Sequence, residues 1–457
     1  MLTGLLGALA VAALILAGFG SLSAITDPST TSREALPTAQ RAHRQRAVSP
    51  SAQARPTASL SAGLAPAPPR TPAQLHVGAV LAKALDAAGP QSGALVYDLD
   101  THQAVFARRA MARRPPASVE KIFTTVALMR VLGPNARLHT SVLGTGHLTG
   151  GVWHGDLYLR GGGDPTFGDA GFNRVWEQGY GSTANQLVAD LARSGIRRVT
   201  GSLYADESLF DVHRGGLLTK LAPDTPDFGG QLSALDYNHG SALRRLSPAR
   251  FAAKEFVLTM RSSGITIRAG SHTATTPPQA HMLATVDSPP LSVMARLMDV
   301  PSDDLFAELF TKQLGVLFGG GGTIADGAKV IGGTISAAFG LHPTIVDGSG
   351  LSRNDQSSPA EIVDLLRDVW HTPVGGQLAA ALPTVGKEGT VQNIGLKTAA
   401  RGRCIAKTGT LDYVTNLAGY CHTKTGRRLA FALFVDGPPN YAAIVLESRM
   451  IGAIGAY

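Results

Sequence analysis

The chain has 457 residues, of which 44% are hydrophobic and 16% are charged, so it can bury a sizeable core and form more than one domain. Its formal net charge is +8, yet only 10 of its 41 Lys and Arg residues are lysines. The basic run near the N-terminus lacks interleaved aromatic residues, which argues against a nucleic-acid partner.

Residues 1–25 form an apolar segment, with no charged side chain from residue 2 onward. Such a segment is long enough for a secretory signal peptide or for a membrane anchor. A basic stretch before it and an A-x-A cleavage site after it are both missing, which favours an uncleaved anchor. In either case we expect the rest of the chain to be exported to the periplasmic or cell-wall space.

Residues 26–75 are rich in Pro, Ala, Ser, Thr and Arg and are almost free of aromatic residues. This composition predicts a disordered tether, because it cannot bury enough apolar surface to fold. Its arginines can hold the chain near an anionic membrane or wall polymer, and plain solvation of a linker explains them equally well. They are Arg33, Arg41, Arg44, Arg46, Arg55 and Arg70.

The first patterns of regular structure follow the tether. Residues 76–88 predict a helix, and residues 93–100 with 104–107 predict a β-hairpin. Two prolines then interrupt the chain, and Ser118 is predicted to cap a helix over residues 119–128.

Residues 146–285 predict an inserted, largely β region. Short strands such as 156–160 and 256–259 alternate with Gly-rich and Pro-rich turns, and one helix is predicted at 182–194. The later elements are helices over residues 291–298 and 302–314, three antiparallel strands within 404–435, and a helix from about residue 441.

The two cysteines, Cys404 and Cys421, flank a turn between two of these strands. They are equidistant from its centre, so they can face each other across an antiparallel pair. In an exported protein this arrangement predicts a disulfide, and two free thiols are the alternative.

Ser118 and Lys121 are the first candidates for chemistry. Their side chains can touch, because they lie three residues apart on a predicted helix. A serine becomes a nucleophile when a neighbouring base takes its proton. This is the only Ser-x-x-Lys in a lysine-poor chain. Arginine cannot act as a base, so a lysine at this position is informative.

Lys407, Thr408 and Gly409 follow an apolar strand and form the second candidate group. The glycine would let a substrate backbone approach the strand, while the lysine could bind a carboxylate and lower the pKa of a nearby lysine. A second Lys-Thr-Gly at residues 424–426 lies between two apolar runs and predicts a hairpin turn instead. The run of glycines at 319–322 predicts a joint between helices.

Three motifs occur in a specific order: Ser118-x-x-Lys121, then Ser302-Asp303-Asp304, then Lys407-Thr408-Gly409. Together with further matching segments, they make the chain resemble the D-alanyl-D-alanine carboxypeptidase/endopeptidase family of low-molecular-mass class C penicillin-binding proteins, peptidase family S13. The resemblance covers essentially everything after the tether. The further segments are residues 159–165, 305–308, 347–352 and 389–390.

The resemblance implies an α+β fold with a penicillin-binding-protein catalytic domain, in which helices flank an antiparallel sheet. We expect this domain to comprise residues 76–145 and 286–457. The wide spacing between Ser118 and Ser302 fits the extra domain that this family carries there, and argues against a compact β-lactamase.

The resemblance also implies a mechanism without a cofactor or a metal. Ser118 would attack a terminal D-Ala-D-Ala bond of a peptidoglycan stem peptide with Lys121 as general base, and Ser302 would relay the proton. Residues 407–409 would hold the substrate, with Lys407 and Thr408 on its terminal carboxylate. The N–H groups of Ser118 and Thr410 would form the oxyanion hole.

Two further features follow from the same resemblance. β-Lactam antibiotics are expected to acylate the enzyme as covalent inhibitors. Asp206 corresponds to a family aspartate that binds the amine of a diamino acid in the stem peptide, and a solvated loop carboxylate is the alternative for this residue.

Asp304 departs from the family pattern, which has asparagine at this position. An ionised carboxylate here would favour protonated Lys121 and oppose its role as base. Three explanations stay open: Asp304 is protonated, it pairs with Lys407, or it marks weak activity. We hypothesise that Asp304 moves activity to higher pH.

Two other functions remain as alternatives. One is a wall-binding module that keeps the fold without turnover, and the other is a β-lactamase. Covalent acylation by a penicillin would distinguish an enzyme from the wall-binding module. The balance between carboxypeptidase and endopeptidase activity cannot be read from these motifs.

Overall fold

The protein is described by a computed structural model that covers residues 71–215, 230–240 and 246–457. The predicted apolar segment at residues 1–25 and nearly all of the predicted tether at 26–75 lie outside these described residues. Within the described ranges, no helix combines the length and the apolar character needed to cross a membrane.

The described residues form ten strands and eleven α-helices, with short 3₁₀ turns between some of them. The strands are β1 Gly93–Asp98, β2 Gln103–Arg108, β3 His139–Thr149, β4 Val152–Arg160, β5 Arg198–Asp206, β6 Thr266–Thr273, β7 His281–Asp287, β8 Cys404–Leu411, β9 Val414–His422 and β10 Arg428–Asp436. The helices are α1 Pro72–Ala88, α2 Lys121–Val131, α3 Ala170–Trp176, α4 Ala184–Arg193, α5 Pro248–Ser262, α6 Leu291–Asp299, α7 Asp304–Leu314, α8 Ile324–Phe339, α9 Pro359–Trp370, α10 Pro373–Ala381 and α11 Asn440–Ala456.

The first sheet joins the two ends of the folded chain in the order β2-β1-β10-β9-β8, and all its pairs are antiparallel. Strand β10 buries apolar side chains on both faces of this sheet. Leu429, Phe431 and Leu433 pack with α1 and α11, while Ala430 and Ala432 pack with α2, α6 and α9. This alternation follows from the two-residue period of a strand.

The second sheet has the order β6-β5-β4-β3-β7 and is mixed. Strands β4, β5 and β6 run parallel, while β3 pairs antiparallel with β4 and β7. Helices α4 and α5 pack on one face and bury an apolar cluster of their own. The sequence analysis predicted only the helix at 182–194, so the region contains more helix than expected.

The predicted strand at residues 256–259 is wrong, because these residues lie inside α5. Ser247 caps this helix by accepting a hydrogen bond from Arg250 N, and Pro248 occupies the first turn. Phe256, Val257 and Met260 are buried, the three- and four-residue spacing that places side chains on one helix face.

The two cysteines face each other in the register of β8 and β9, and their sulfur atoms are bonded. The second Lys-Thr-Gly forms the tight turn between β9 and β10, as predicted. Its glycine, Gly426, has a φ of 88°. The disulfide and the turn at Gly426 lie at the same end of the sheet, opposite the β8–β9 turn that follows Leu411.

Candidate active site

Ser118 lies in a 3₁₀ turn, Ala117–Glu120, which leads directly into α2. The prediction that its side chain caps the helix is wrong, because the turn has no side-chain cap and regular α-helix begins only at Lys121. Ala117 has a φ of 48°, which turns the chain so that the serine hydroxyl is free for other contacts. Asn416 of β9 fixes this turn by donating from Nδ2 to the carbonyl oxygens of Pro115 and Pro116, each at 3.0 Å.

Lys121 is fully buried and donates three hydrogen bonds from Nζ. The acceptors are Ser118 Oγ at 3.1 Å, Asp304 Oδ1 at 2.6 Å and the carbonyl oxygen of Ser349 at 2.8 Å. Three acceptors match the three donors of an ammonium group. The structure therefore brings Ser118, Lys121 and Asp304 together.

Asp304 begins α7, and its carboxylate contacts Lys121 of the first motif rather than Lys407 of the third. Among the described residues, Asp304 forms no hydrogen bond with Lys407. The structure therefore lacks the Asp304–Lys407 pair, which was one of the three explanations left open by the sequence. Asp303 caps the helix by accepting from Phe306 N at 3.1 Å. Ser302 precedes this cap with a φ of 67°, a backbone conformation that L-residues other than glycine seldom adopt.

Lys407 is the second buried lysine, and it donates to Ser302 Oγ at 2.7 Å and to the carbonyl oxygen of Thr408 at 3.0 Å. Burial and the nearby charge of Lys121 lower the pKa of Lys407 to about 7, while Asp299 and Asp304 oppose the shift. The sequence analysis expected Lys407 to lower the pKa of the other lysine. In the structure, the charge of Lys121 is one of the causes that lower the pKa of Lys407.

Gly409 allows β8 to touch the turn that carries Ser118. A Cβ atom at this position would lie 2.4 Å from the carbonyl oxygen of Pro116 and 3.1 Å from Ser118 N. Only glycine fits without moving the strand. Thr410 follows on the same strand and is exposed beside this contact.

Thr408 carries a contact to which the sequence analysis gave no role. Its hydroxyl lies 2.7 Å from that of Thr390, in the segment 389–390 that contributed to the family resemblance. Thr390 N donates to the carbonyl oxygen of Val300, so the exposed threonine pair is tied to the start of the second motif.

The loop that supplies the Ser349 carbonyl is held from behind by buried acids. Ser349 N donates to Glu308 Oε1 at 3.1 Å and to Asp347 Oδ1 at 3.2 Å, and Thr124 Oγ1 donates to the carbonyl oxygen of Gly348 at 2.8 Å. Burial raises the pKa of Glu308 to about 8, with Asp347 adding to the effect. Although the segment 347–352 also contributed to the resemblance, the sequence could not assign its backbone a role.

Asp206 lies at the end of β5 and is only 2% exposed. Its carboxylate accepts hydrogen bonds from Ser208 N, Ser208 Oγ and Thr276 N. Burial acts to raise the pKa of Asp206, but these hydrogen bonds outweigh it and the pKa is lowered. Among the described residues, none of its hydrogen bonds reaches the network of Ser118, Lys121, Ser302 and Lys407.

Comparison with known proteins gives the same family as the motifs. A sequence model of the D-Ala-D-Ala carboxypeptidase 3 (S13) family matches residues 74–219 and 228–452. A D-alanyl-D-alanine carboxypeptidase of Actinomadura sp. (strain R39) is 26% identical over 456 residues, covering 81% of this chain and 82% of the relative. Carboxypeptidase DacB of Mycolicibacterium smegmatis is 28% identical over 479 residues, covering 98% of this chain and 96% of the relative.

The fold also resembles a solved structure. Penicillin binding protein 4 (dacB) from Haemophilus influenzae aligns with a TM-score of 0.68 at 19% identity, over 82% of this chain and 99% of that one. This likeness confirms the predicted α+β fold of penicillin-binding proteins. Because the family model spans well over half of the sequence, the chain belongs to the D-Ala-D-Ala carboxypeptidase (S13) family of serine peptidases.

Proposed function

We propose that this protein is a serine D-Ala-D-Ala carboxypeptidase that trims peptidoglycan stem peptides through an acyl-enzyme. The observation that supports this most directly is the 3.1 Å hydrogen bond between Lys121 Nζ and Ser118 Oγ. A serine in contact with a fully buried lysine forms the nucleophile–base pair that acyl transfer requires. Family membership supports the choice of substrate.

Acylation begins with the transfer of one proton from Lys121 to solvent, because an ammonium cannot accept the serine proton. Ser118 Oγ then attacks the carbonyl carbon of the terminal D-Ala-D-Ala bond while Lys121 takes the hydroxyl proton. Ser302 relays that proton by giving its own hydroxyl proton to the leaving nitrogen and regaining one from Lys121, the C–N bond breaks, and D-alanine departs. Water hydrolyses the resulting ester and restores the Ser118 hydroxyl.

Backbone and side-chain donors stabilise the charges that this reaction creates. The N–H groups of Ser118 and Thr410 receive the developing oxyanion. Lys407 and Thr408 bind the terminal carboxylate of the substrate, and the buried lysine must be charged to do so. In the structure the Thr408 hydroxyl donates to Thr390 Oγ1, so binding a carboxylate through this hydroxyl would require that hydrogen bond to be given up.

We assign Asp206 a structural role, because its carboxylate already accepts three hydrogen bonds. A stem-peptide amine would have to displace these hydrogen bonds in order to bind it.

The β-lactams would react as substrate analogues and leave a stable ester on Ser118. Action on peptidoglycan requires export, which the apolar segment at residues 1–25 would provide, and the arginines of the tether would keep the enzyme near an anionic surface.

A fluorescent penicillin tests the acylation step. The parent protein should carry a covalent label on Ser118, and a Ser118→Ala variant should carry none. An unlabelled, folded parent would leave only the wall-binding module. Rapid release of a hydrolysed penicillin would favour the β-lactamase instead.

Digestion of muropeptides tests the substrate. Release of free D-alanine from pentapeptide stems identifies a carboxypeptidase, whereas conversion of cross-linked dimers to monomers identifies a D,D-endopeptidase. Absence of both products from a protein that is acylated by penicillin would contradict the proposed substrate.

A further inference from the structure

Thr390 belongs to none of the three motifs, yet its hydroxyl contacts the third. It lies in the short turn Gly389–Val391, between α10 and β8. Its Oγ1 accepts a hydrogen bond of 2.7 Å from the hydroxyl of Thr408 on β8. Thr408 directly follows Lys407, which donates to Ser302 Oγ, so Thr390 borders the hydrogen-bond network of the site.

The backbone of Thr390 is held independently of its side chain. Thr390 N donates at 3.1 Å to the carbonyl oxygen of Val300, which lies just before Ser302 in the chain. Gly389 has a φ of 54°, and a Cβ atom there would lie 2.2 Å from the same carbonyl oxygen. This close approach therefore requires glycine.

Glu388 ties the turn to two neighbouring elements. Its Oε2 accepts from Arg296 Nη2 on α6 at 2.6 Å, and its Oε1 accepts from Thr384 N at 3.0 Å. Thr384 in turn pairs with Ile405 of β8 through an isolated bridge. Because none of these contacts uses the Thr390 side chain, replacing that side chain removes a hydroxyl without releasing the turn.

The two threonine hydroxyls can exchange the roles of donor and acceptor. Each has one proton to donate and two lone pairs to accept with. If Thr390 donates to Thr408 Oγ1, the proton of Thr408 becomes free for a ligand, and only the two O–H bonds have to rotate. The reversed hydrogen bond also strengthens Thr408 as a donor, because hydrogen bonds in a chain polarise one another.

We propose that Thr390 is a positioning residue that acts through Thr408 when a substrate carboxylate binds. This inference rests on the proposed function, in which Thr408 holds that carboxylate. In the free enzyme Thr390 Oγ1 accepts from Thr408, and in the complex it donates to Thr408 while Thr408 donates to the ligand. Hydrogen bonds are exchanged, and no covalent bond forms or breaks.

Thr390→Val and Thr390→Ser variants test this role through the second-order rate constant of acylation. Benzylpenicillin carries the carboxylate that Thr408 would bind, and its methyl ester does not. Thr390→Val should slow acylation by benzylpenicillin about fivefold, the worth of one hydrogen bond, and leave acylation by the methyl ester at the rate of the parent. Thr390→Ser keeps the hydroxyl and should restore the rate with benzylpenicillin.

A double-mutant cycle tests whether Thr390 acts through Thr408. Thr408→Val alone should slow acylation by benzylpenicillin at least as much as Thr390→Val does. The Thr390→Val/Thr408→Val double variant should react at the same rate as Thr408→Val, because the partner on which Thr390 acts is already gone. A further drop in the double variant would overturn the proposal.

Thr425→Val is the matched control. Thr425 is the threonine of the second Lys-Thr-Gly, in the turn between β9 and β10, where its hydroxyl donates to the carbonyl oxygen of Tyr457. Its replacement should leave the rates with benzylpenicillin and with the methyl ester unchanged.

The outcomes are distinguishable from failure of the proposed function. A folded parent that benzylpenicillin does not acylate contradicts the proposed function itself. A parent that is acylated, together with Thr390→Val rates that coincide with those of Thr425→Val, overturns the role of Thr390. An equal loss with benzylpenicillin and its methyl ester would also overturn it, because the contact would then serve the fold rather than the carboxylate.

Discussion

Two buried lysines flank the reacting hydroxyls, and their surroundings differ. Lys121 Nζ donates to a carboxylate, a hydroxyl and a carbonyl, whereas Lys407 Nζ donates to a hydroxyl and a carbonyl. An opposite charge within hydrogen-bonding distance stabilises the charged form of an amine. Asp304, where the family has asparagine, therefore gives Lys121 a negatively charged partner that Lys407 Nζ does not have.

Replacing Asp304 by asparagine should move activity toward lower pH. The amide keeps a hydrogen-bond acceptor for Lys121 Nζ but removes the negative charge beside it. We expect the acid limb of the acylation profile to shift down by about one pH unit. The measurement is the rate of labelling by a fluorescent penicillin from pH 5 to 9.

The control for this prediction is Asp287→Asn, which removes a carboxylate from the exposed edge of β7. Its profile should match the parent's. If the Asp304→Asn profile also coincides with the parent's, the ion pair with Lys121 does not govern activity.

The motifs predicted candidate residues for the chemistry but not how those residues pair. Ser118 and Lys121 are neighbours in sequence, so their contact follows from local spacing. The contact of Lys121 with Asp304 bridges 183 positions, and that with Ser349 bridges 228. Such pairs depend on the packing of α2, α7 and the 347–350 loop, which no local pattern encodes.

At the scale of elements, the approach of β8 to the nucleophile turn is the most constrained contact of the site. A Gly409→Ala variant would place a methyl group against Pro116 O and Val119 N, at 2.4 and 2.9 Å. Because both atoms belong to the backbone, β8 must move away from Ser118. We expect penicillin acylation to fall at least tenfold, since misplacement by about 1 Å costs roughly a hundredfold in rate.

Gly376→Ala serves as the matched control. Gly376 lies on α10, and a Cβ atom there would meet nothing within 4 Å. This substitution should leave acylation unchanged. An active Gly409→Ala enzyme would mean that β8 and the nucleophile turn can separate without loss of geometry.

The disulfide joins β8 and β9 at a sequence separation of 17 residues. Closing a loop of this size restricts the unfolded chain, and we expect reduction to lower the free energy of unfolding by about 2–4 kcal/mol. Thermal unfolding with and without reductant measures the effect, and a Cys404→Ala/Cys421→Ala variant should melt like the reduced protein. The prediction would be contradicted if the oxidised and reduced proteins melted at the same temperature although both cysteines of the reduced protein reacted as free thiols.

Elements with a strong local signal were predicted well. The helix before β1, the β1–β2 hairpin, strands β8–β10 and the final helix were all confirmed. The error at residues 256–259 arose because a run such as Phe-Val-Leu-Thr fits a buried strand and a buried helix equally well. The cap at Ser247 and the spacing of buried residues decide for the helix, but only over a longer window than those four residues.

At the scale of the whole molecule, buried acids should make stability depend on pH. Burial raises the pKa of Glu447 to about 8 and that of Asp236 to about 8. These carboxyls keep protons in the folded state at pH values where the unfolded chain has released them. The free energy of unfolding should therefore decrease as pH rises from about 4 to 7. The lowered pKa of Lys407 acts in the opposite direction only above pH 7.

Melting temperatures between pH 4.5 and 7 measure this dependence. In Glu447→Gln the decrease should be smaller than in the parent, because one of the proton-retaining groups is gone. A parent that is more stable at pH 7 than at pH 5 would contradict the prediction, and an unchanged slope in Glu447→Gln would exclude Glu447 as a contributor.

The pairing of β1 with β10 has a consequence for biosynthesis. Residues 93–98 leave the ribosome long before their partners at 429–434 are made. Until β10 is made the first sheet lacks its central strand, and until β8 and β9 are made the site lacks Lys407 and the Asn416 side chain. The site is therefore incomplete while the chain up to β8 is being synthesised, and a protein truncated before β8 would lack it.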